Sequence, residues 1–330
     1  MFLGITFVLI TLTIIILIIK HFVYVGRLKT LENKHVVITG GSSGIGKGVA
    51  IECAKRGAHV TIIARNVIKL QEAVNEIKNF VKNKEVQKIK YESADVTNHA
   101  DITEKIQSID DNEPIYMFVN CAGMALFAAL ENMSITDIDT VVNLNLYGTV
   151  YPTRAVLPLL KSRQDGIIVI TSSQGGLLGV YGGGAYSTSK YALRGLAEVL
   201  YFETKSHNIS VTLALPADTD TPGFENEEKT KPIETRLISE EGGLLKPNDV
   251  GTQIVIDALR SRFYSYCVNP ATFCLSMSAA GMSPPSGYGE LILQILLLGP
   301  LRLIGFFYIK SFERIIEKCK MQQDKEKKLL

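Results

Sequence analysis

Thr39-Gly40-Gly41-Ser42-Ser43-Gly44-Ile45-Gly46 is the stretch on which the fold of this chain turns. The residues ahead of it, His35–Thr39, are apolar and β-branched and read as a strand. Behind it a helical pattern runs from Ile45 to Arg56. Glycines let a backbone approach a pyrophosphate closely, and a helix N-terminus adds free N–H groups and a positive dipole end. A glycine cluster alone also suits a tight turn; the strand before it and the helix after it favour the phosphate cradle. Gly40, Ser42, Ser43, Gly44, Ile45 and Gly46 are therefore the first candidate cofactor residues.

Working outward, strand-like runs recur at His59–Ala64, Val86–Ala94, Ile115–Asn120, Gly166–Thr171 and Ile209–Leu215. Helical patterns separate them at Val67–Lys82, Ile102–Ile109, Ile135–Leu160 and Ala185–Ser206. Short strands alternating with helices predict α/β architecture, a doubly wound parallel sheet of the Rossmann type. Ala217–Leu245 breaks this rhythm as a long, charge-rich loop, expected to act as a lid. A helix over Pro247–Arg262 and a short strand over Tyr264–Val268 complete a catalytic domain spanning residues 33–268.

In dinucleotide folds a residue about twenty positions past the glycines reads the adenosine ribose. An acid there favours NAD; this chain has Arg65. A guanidinium fits a 2′-phosphate with two parallel hydrogen bonds, so the cofactor expected is NADPH, with Lys69 adding a contact.

Tyr186 and Lys190 lie one helical turn apart, on one helix face. A neighbouring cation stabilises a phenolate, which would tune the tyrosine to protonate a carbonyl oxygen as hydride arrives. Taken singly, such a pair is common by chance. Here Ser173 precedes it at a strand end, Asn145 lies in the helix before, and Asn120-Cys121-Ala122-Gly123 closes the fourth strand. Strand-end serines and buried asparagines also serve as ordinary caps; it is their joint occurrence in this order that points to a catalytic site.

The glycine loop, the N-x-A-G segment, Asn145, Ser173 and the Tyr186–Lys190 pair resemble the short-chain dehydrogenase/reductase family over roughly residues 33–265. That resemblance implies Tyr186 as proton donor and Ser173, rather than its neighbour Ser172, as the group holding the substrate carbonyl. It implies that Lys190 lowers the tyrosine pKa and binds the nicotinamide ribose, and that Asn145 holds a relay water. Asp95 would contact adenine, Asn120 and Pro216 belong to the cofactor site, and Thr219 and Thr221 would hold the carboxamide. Two departures stand out: Cys121 where the family often has Asn, and Ala217 where it usually has Gly. Relatives commonly pair through the helices carrying Asn145 and Tyr186, which implies a homo-oligomer.

The chain ends add a membrane theme. Phe2–Ile19 is an apolar run of roughly bilayer length, read as an uncleaved transmembrane anchor within residues 1–24. Lys20, Arg27, Lys29 and Lys34 follow it, which puts the main domain in the cytosol. A second apolar stretch, Leu291–Ile309, contains Gly299-Pro300 and Arg302. A charge at mid-bilayer costs at least about 2.5–3.5 kcal/mol, so this stretch is expected to be a kinked hairpin, a re-entrant segment or an interfacial helix, and residues 269–310 as a whole a membrane-associated hairpin or re-entrant segment. Residues 311–330 form a basic tail, and Lys327-Lys328-Leu329-Leu330 resembles a dilysine signal for retrieval to the endoplasmic reticulum.

A net charge of +2 points away from nucleic acid. The five cysteines show no C-x-x-C pair or Cys/His cluster, which argues against both a disulfide framework and a metal site. Asp218–Phe224, Thr230–Glu240 and the surroundings of Ser172 and Gln174 are similar to the branch of the family that reduces long-chain sphingoid ketones with NADPH. That implies a substrate drawn from the lipid bilayer. The alternatives are a membrane reductase for steroids, retinoids or acyl chains, and a non-catalytic NADPH-binding sensor, which should have lost part of the tetrad.

Overall fold

The computed structural model describes residues 28–329; the expected N-terminal anchor lies outside them. Seven parallel strands form one sheet in the order β3-β2-β1-β4-β5-β6-β7. They are β1 His35–Thr39, β2 His59–Ala64, β3 Ile89–Ser93, β4 Ile115–Asn120, β5 Gly166–Thr171, β6 Ile209–Ala214 and β7 Tyr264–Ser265. Helices cover both faces, so the central strands are buried on both sides and read as unbroken apolar runs. Val36, Ile38, Val60 and Ile62 point to one apolar layer, and Val37, Ile63, Phe118 and Ile168 to the other. The strand order reverses between β1 and β4, and ligands of such sheets bind in the crevice beyond that point.

On the first face lie α1 (Gly44–Lys55), α2 (Val67–Lys78) and α9 (Pro247–Leu259). Helices α1 and α9 cross at two glycines. A Cβ on Gly48 would stand 2.5 Å from the Pro247 carbonyl oxygen, and one on Gly251 would stand 2.5 Å from the Gly48 carbonyl carbon. On the other face lie α3 (His99–Asn112), α5 (Gly148–Arg163) and α6 (Gly184–Thr204).

Several elements differ from their sequence expectation. The helix expected over Ile135–Leu160 is α4 (Ile135–Val142), a π turn at Asn143–Tyr147, and then α5. Strand β3 starts at Ile89, because Gln87 turns inward and donates to the carbonyls of Ala54 and Ala58. Strand β7 stops at Ser265, because Cys267 and Val268 take positive φ of 50° and 60°. The expected loop Ala217–Leu245 holds two helices, α7 (Pro222–Thr230) and α8 (Ile233–Ser239); Thr221 starts the first, its hydroxyl capping Phe224 N–H.

The C-terminal segment is not a hairpin. A short helix α10 (Pro270–Ser278) is followed by a single helix α11 over Tyr288–Leu329, 42 residues long with Pro300 inside it. Gly299 and Pro300 meet no packed neighbour there: both are exposed, and a Cβ on Gly299 would touch nothing within 4 Å. Over Tyr288–Glu326 this helix is long and apolar enough to cross a membrane. Its apolar side chains, among them Ile295, Leu303, Phe306 and Phe307, are exposed, as membrane association requires.

Candidate active site

A cavity of about 420 Å³ opens at the C-terminal ends of β1, β2, β4, β5 and β6. One end is the glycine loop. Gly40 and Gly44 have φ of 67° and 54°, where side chains are disfavoured, and a Cβ on Gly46 would lie 2.3 Å from the Gly40 carbonyl. The loop therefore folds back on itself and presents the N-terminus of α1, with Ser42, Ser43 and Ile45 on the cavity wall. This is a cradle of backbone N–H groups suited to a pyrophosphate.

Arg65 and Asp95 line the same end, with Arg65 Nη1 3.9 Å from Asp95 Oδ2. Arg65 is 71% exposed and is not consumed by that pair. Burial pushes the Asp95 carboxyl up, but hydrogen bonds from Thr97 and the charge of Arg65 prevail and hold it below the usual carboxylate range. Lys69 is not on the cavity wall; its backbone N–H is capped by Asn66. Asn120 is also behind the wall, where its amide donates to Thr153 Oγ1 and the Val169 carbonyl. Its side chain thus braces β4 behind the cavity.

At the other end Tyr186 and Lys190 project from α6, whose entry through Gly183-Gly184 aims them at the cavity. Lys190 Nζ is 5.7 Å from the centre of the Tyr186 ring and donates to the Thr171 carbonyl at 3.0 Å. Burial lowers the Lys190 ammonium to about 8, with Cys121 pulling weakly the other way. The Tyr186 phenol is held well above its ordinary value by burial; its hydrogen bond with Ser173 works against this, and Glu227 and Asp218 add to it. The lowered phenol expected from the sequence is therefore absent: burial is the first cause of both shifts, and Lys190 is not among the groups that act on the phenol here. The phenol is instead fully protonated at neutral pH, the form a proton donor needs.

The two serines separate cleanly. Ser173 faces the cavity beside Tyr186, while Ser172 is buried and donates to the Lys190 carbonyl at 2.9 Å. Asn145 sits in the π turn, 0% exposed, donating to the Met124 carbonyl and to Ser189 Oγ and accepting from Met124 N–H. π turns often mark functional sites, and this one swings Asn145 behind Lys190. A Cβ on Gly123 would be 3.0 Å from Asn145 Oδ1 and 3.6 Å from Lys190 Nζ, so glycine lets the two approach. Pro216, Thr219 and Thr221 line the wall between the two ends.

Residues missed from the sequence include Cys121, whose Sγ is 3.1 Å from Thr171 Oγ1, and Asp218, Phe224 and Glu227 of the lid. Asp218 and Phe224 lie in the stretch already matched to the family branch, but Glu227 carried no motif and only its place after Pro216 hinted at the cavity. Among the described residues no His, Cys, Asp and Glu cluster is built to hold a metal ion.

A phosphate cradle joined to a serine–tyrosine–lysine group in one cavity defines an oxidoreductase using a nicotinamide cofactor. The chain belongs to the short chain dehydrogenase family, whose model matches residues 34–232. Its relatives include proteins named 3-ketodihydrosphingosine reductase, from Bos taurus, 45% identical over 298 residues and 89% of both chains. Another, from Danio rerio, is named 3-dehydrosphinganine reductase and is 44% identical over 296 residues, again 89% of both. Among solved structures, levodione reductase superposes with a TM-score of 0.64 at 22% identity, covering 69% of this chain and 91% of that one. An alcohol dehydrogenase from Thermococcus sibiricus, complexed with 5-hydroxy-NADP, gives 0.57 at 26% identity, covering 69% and 89%.

Proposed function

We propose that this chain reduces 3-ketosphinganine to sphinganine with NADPH, a step of sphingolipid synthesis, on the cytosolic face of the endoplasmic reticulum. The observation that carries the chemistry is the Ser173–Tyr186–Lys190 group at the inner end of a cavity whose outer end is the glycine cradle. The substrate is assigned from the names of the relatives, which extend over nine-tenths of this chain.

In this reading Ser173 and Tyr186 both hydrogen-bond the substrate carbonyl oxygen, and Tyr186 gives it a proton. NADPH, when bound, supplies the hydride. Lys190 contacts the nicotinamide ribose, and its charge favours loss of the tyrosine proton at the moment of transfer. Asn145 holds a water behind Lys190 through which the proton is replaced. Arg65 receives the 2′-phosphate, Asp95 the adenine, and Thr219 and Thr221 the carboxamide. Burial of Tyr186 among Phe127 and the lid excludes bulk water, which strengthens each of these charge interactions.

The membrane belongs to the same reading. A long-chain ketone resides in the bilayer, and α11 with the apolar run at residues 2–19 would hold the cavity beside it. Exposed Tyr147, Tyr191, Val199 and Phe202 on the helices carrying Asn145 and Tyr186 support a homo-oligomer through that face. Product analysis with 3-ketosphinganine and a Tyr186→Phe control tests the proposal.

A further inference from the structure

The lid carries a charge network that hydride transfer does not use. Lys231, between α7 and α8, has a side chain only 1% exposed. Its ammonium lies 2.8 Å from Glu227 Oε1, 2.7 Å from Glu228 Oε1 and 3.9 Å from Asp218 Oδ2. The rings of Phe224 and Phe127 flank it at 4.7 and 5.7 Å. Arg236 is the second cation, 3.6 Å from Glu228 Oε2. Three carboxylates thus face two cations, and one negative charge is left over.

That surplus falls on the cavity side. Glu228 is held between Lys231 and Arg236 and does not line the cavity. Asp218 lines it but accepts the Ser239 hydroxyl. Glu227 lines it too, with a side chain 13% exposed; Oε1 meets Lys231, and among the described residues no donor reaches Oε2. Glu227 is half-buried on the cavity wall, so this oxygen is open to a cation or donor that enters the cavity. Burial pushes the Glu227 acid up, and Lys231 opposes that by hydrogen bond and charge. The remaining cations of the cavity are engaged elsewhere: Lys190 donates to Thr171 on the opposite wall, and Arg65 stands at the adenosine end beside Asp95.

Glu227 also stands close enough to Tyr186 for its charge to be felt at the phenol. Tyr186 and Glu227 line the same cavity, so a ketone whose oxygen meets Tyr186 can turn a neighbouring carbon toward Glu227. We infer that Glu227 receives an ammonium group on the carbon next to the carbonyl, so that the site selects an α-amino ketone over a plain ketone. Lys231 is then a positioning residue, which fixes the carboxylate and leaves Oε2 free for the substrate. An ammonium held there also withdraws electrons from the carbonyl and favours hydride addition. The inference rests on the sphingoid-ketone reading and assigns one residue to the amine that distinguishes this substrate.

The test uses the full chain in membranes with NADPH and two ketones: 3-ketosphinganine and the same chain lacking the amine, 1-hydroxyoctadecan-3-one. Glu227→Gln is expected to lower kcat/KM for the amino ketone about tenfold or more beyond its effect on the plain ketone. Glu227→Asp should recover part of that selectivity. Equal losses on both ketones would make Glu227 a lid strut and overturn the inference. Binding of NADPH, followed by its own fluorescence, reports whether the variant is folded. If it is not, the wild type decides: it should prefer the amino ketone about tenfold or more, and equal kcat/KM values overturn the inference. A wild type that reduces only the plain ketone removes the substrate reading itself, and this inference with it.

Discussion

Lys190 and Tyr186 face one cavity from adjacent turns of α6, with the ammonium 5.7 Å from the centre of the phenol ring and bonded to the Thr171 carbonyl. Both are desolvated, and desolvation acts oppositely on an acid and a base: it raises the phenol and lowers the ammonium. The pair is thereby set with its proton on tyrosine and its charge on lysine only in the lower part of the pH range.

A pH dependence follows from that lysine. Lys190, lowered to about 8, is charged below that pH and neutral above it. A role that needs the charge is lost as pH rises through this value, so kcat/KM is expected to fall above about pH 8. The check is a pH–rate profile with saturating NADPH; a profile flat to pH 10 would remove Lys190 from the proposed role.

In the proposed reading, the choice of NADPH over NADH rests on Arg65. Replacing it by Ala removes the guanidinium at the adenosine end without touching the glycine cradle. The KM for NADPH is expected to rise about tenfold or more, while that for NADH changes little. Equal rises in both would contradict a phosphate contact.

The α1–α9 crossing offers a stability test away from the chemistry. Gly251→Val puts side-chain atoms into the backbone of Gly48 and Val49 and is expected to cost about 2 kcal/mol or more. Gly195→Ala, in α6 with nothing within 4 Å of a new Cβ, should leave stability unchanged or improve it. Thermal denaturation of the two variants against wild type separates them.

Orientation is read from two glycosylation acceptors, Asn132-Met133-Ser134 and Asn208-Ile209-Ser210. With the domain in the cytosol both stay bare. Glycan on either, detected by a glycosidase-sensitive mass shift in cells, would reverse the proposed topology.

Much of this was legible in the residues because it is local. The strand, glycine loop and helix from His35 to Lys55 follow from β-branched residues, from φ values that favour glycine and from helix periodicity. Ser173, Tyr186 and Lys190 lie near each other in the chain, and the parallel sheet puts their elements side by side. What escaped depends on distant packing. The π turn at Asn145 has no propensity signal; it reflects the side chain's bonds to Met124 and Ser189. Ser173 is preferred to Ser172 from the family pattern, and the direction of the chain leaving β5 gives the physical reason: it turns Ser172 inward and Ser173 to the cavity. Asn120 carries the family pattern, yet Thr153 and Val169 claim its amide. Glu227 is one acid in a charged stretch until the lid folds Lys231 and the cavity around it. The α11 helix runs through Gly299-Pro300 even though a proline inside a helix gives up one backbone hydrogen bond.

The central claim is tested most directly by adding 3-ketosphinganine and NADPH to membranes holding the full chain, with Tyr186→Phe alongside, and following both NADPH and sphinganine. The account predicts sphinganine in step with NADPH oxidation in the wild type, and a rate lower by about 10²–10⁴ in Tyr186→Phe with NADPH still bound. Sphinganine formed equally well by Tyr186→Phe, or none formed by a wild type that binds NADPH, would contradict it.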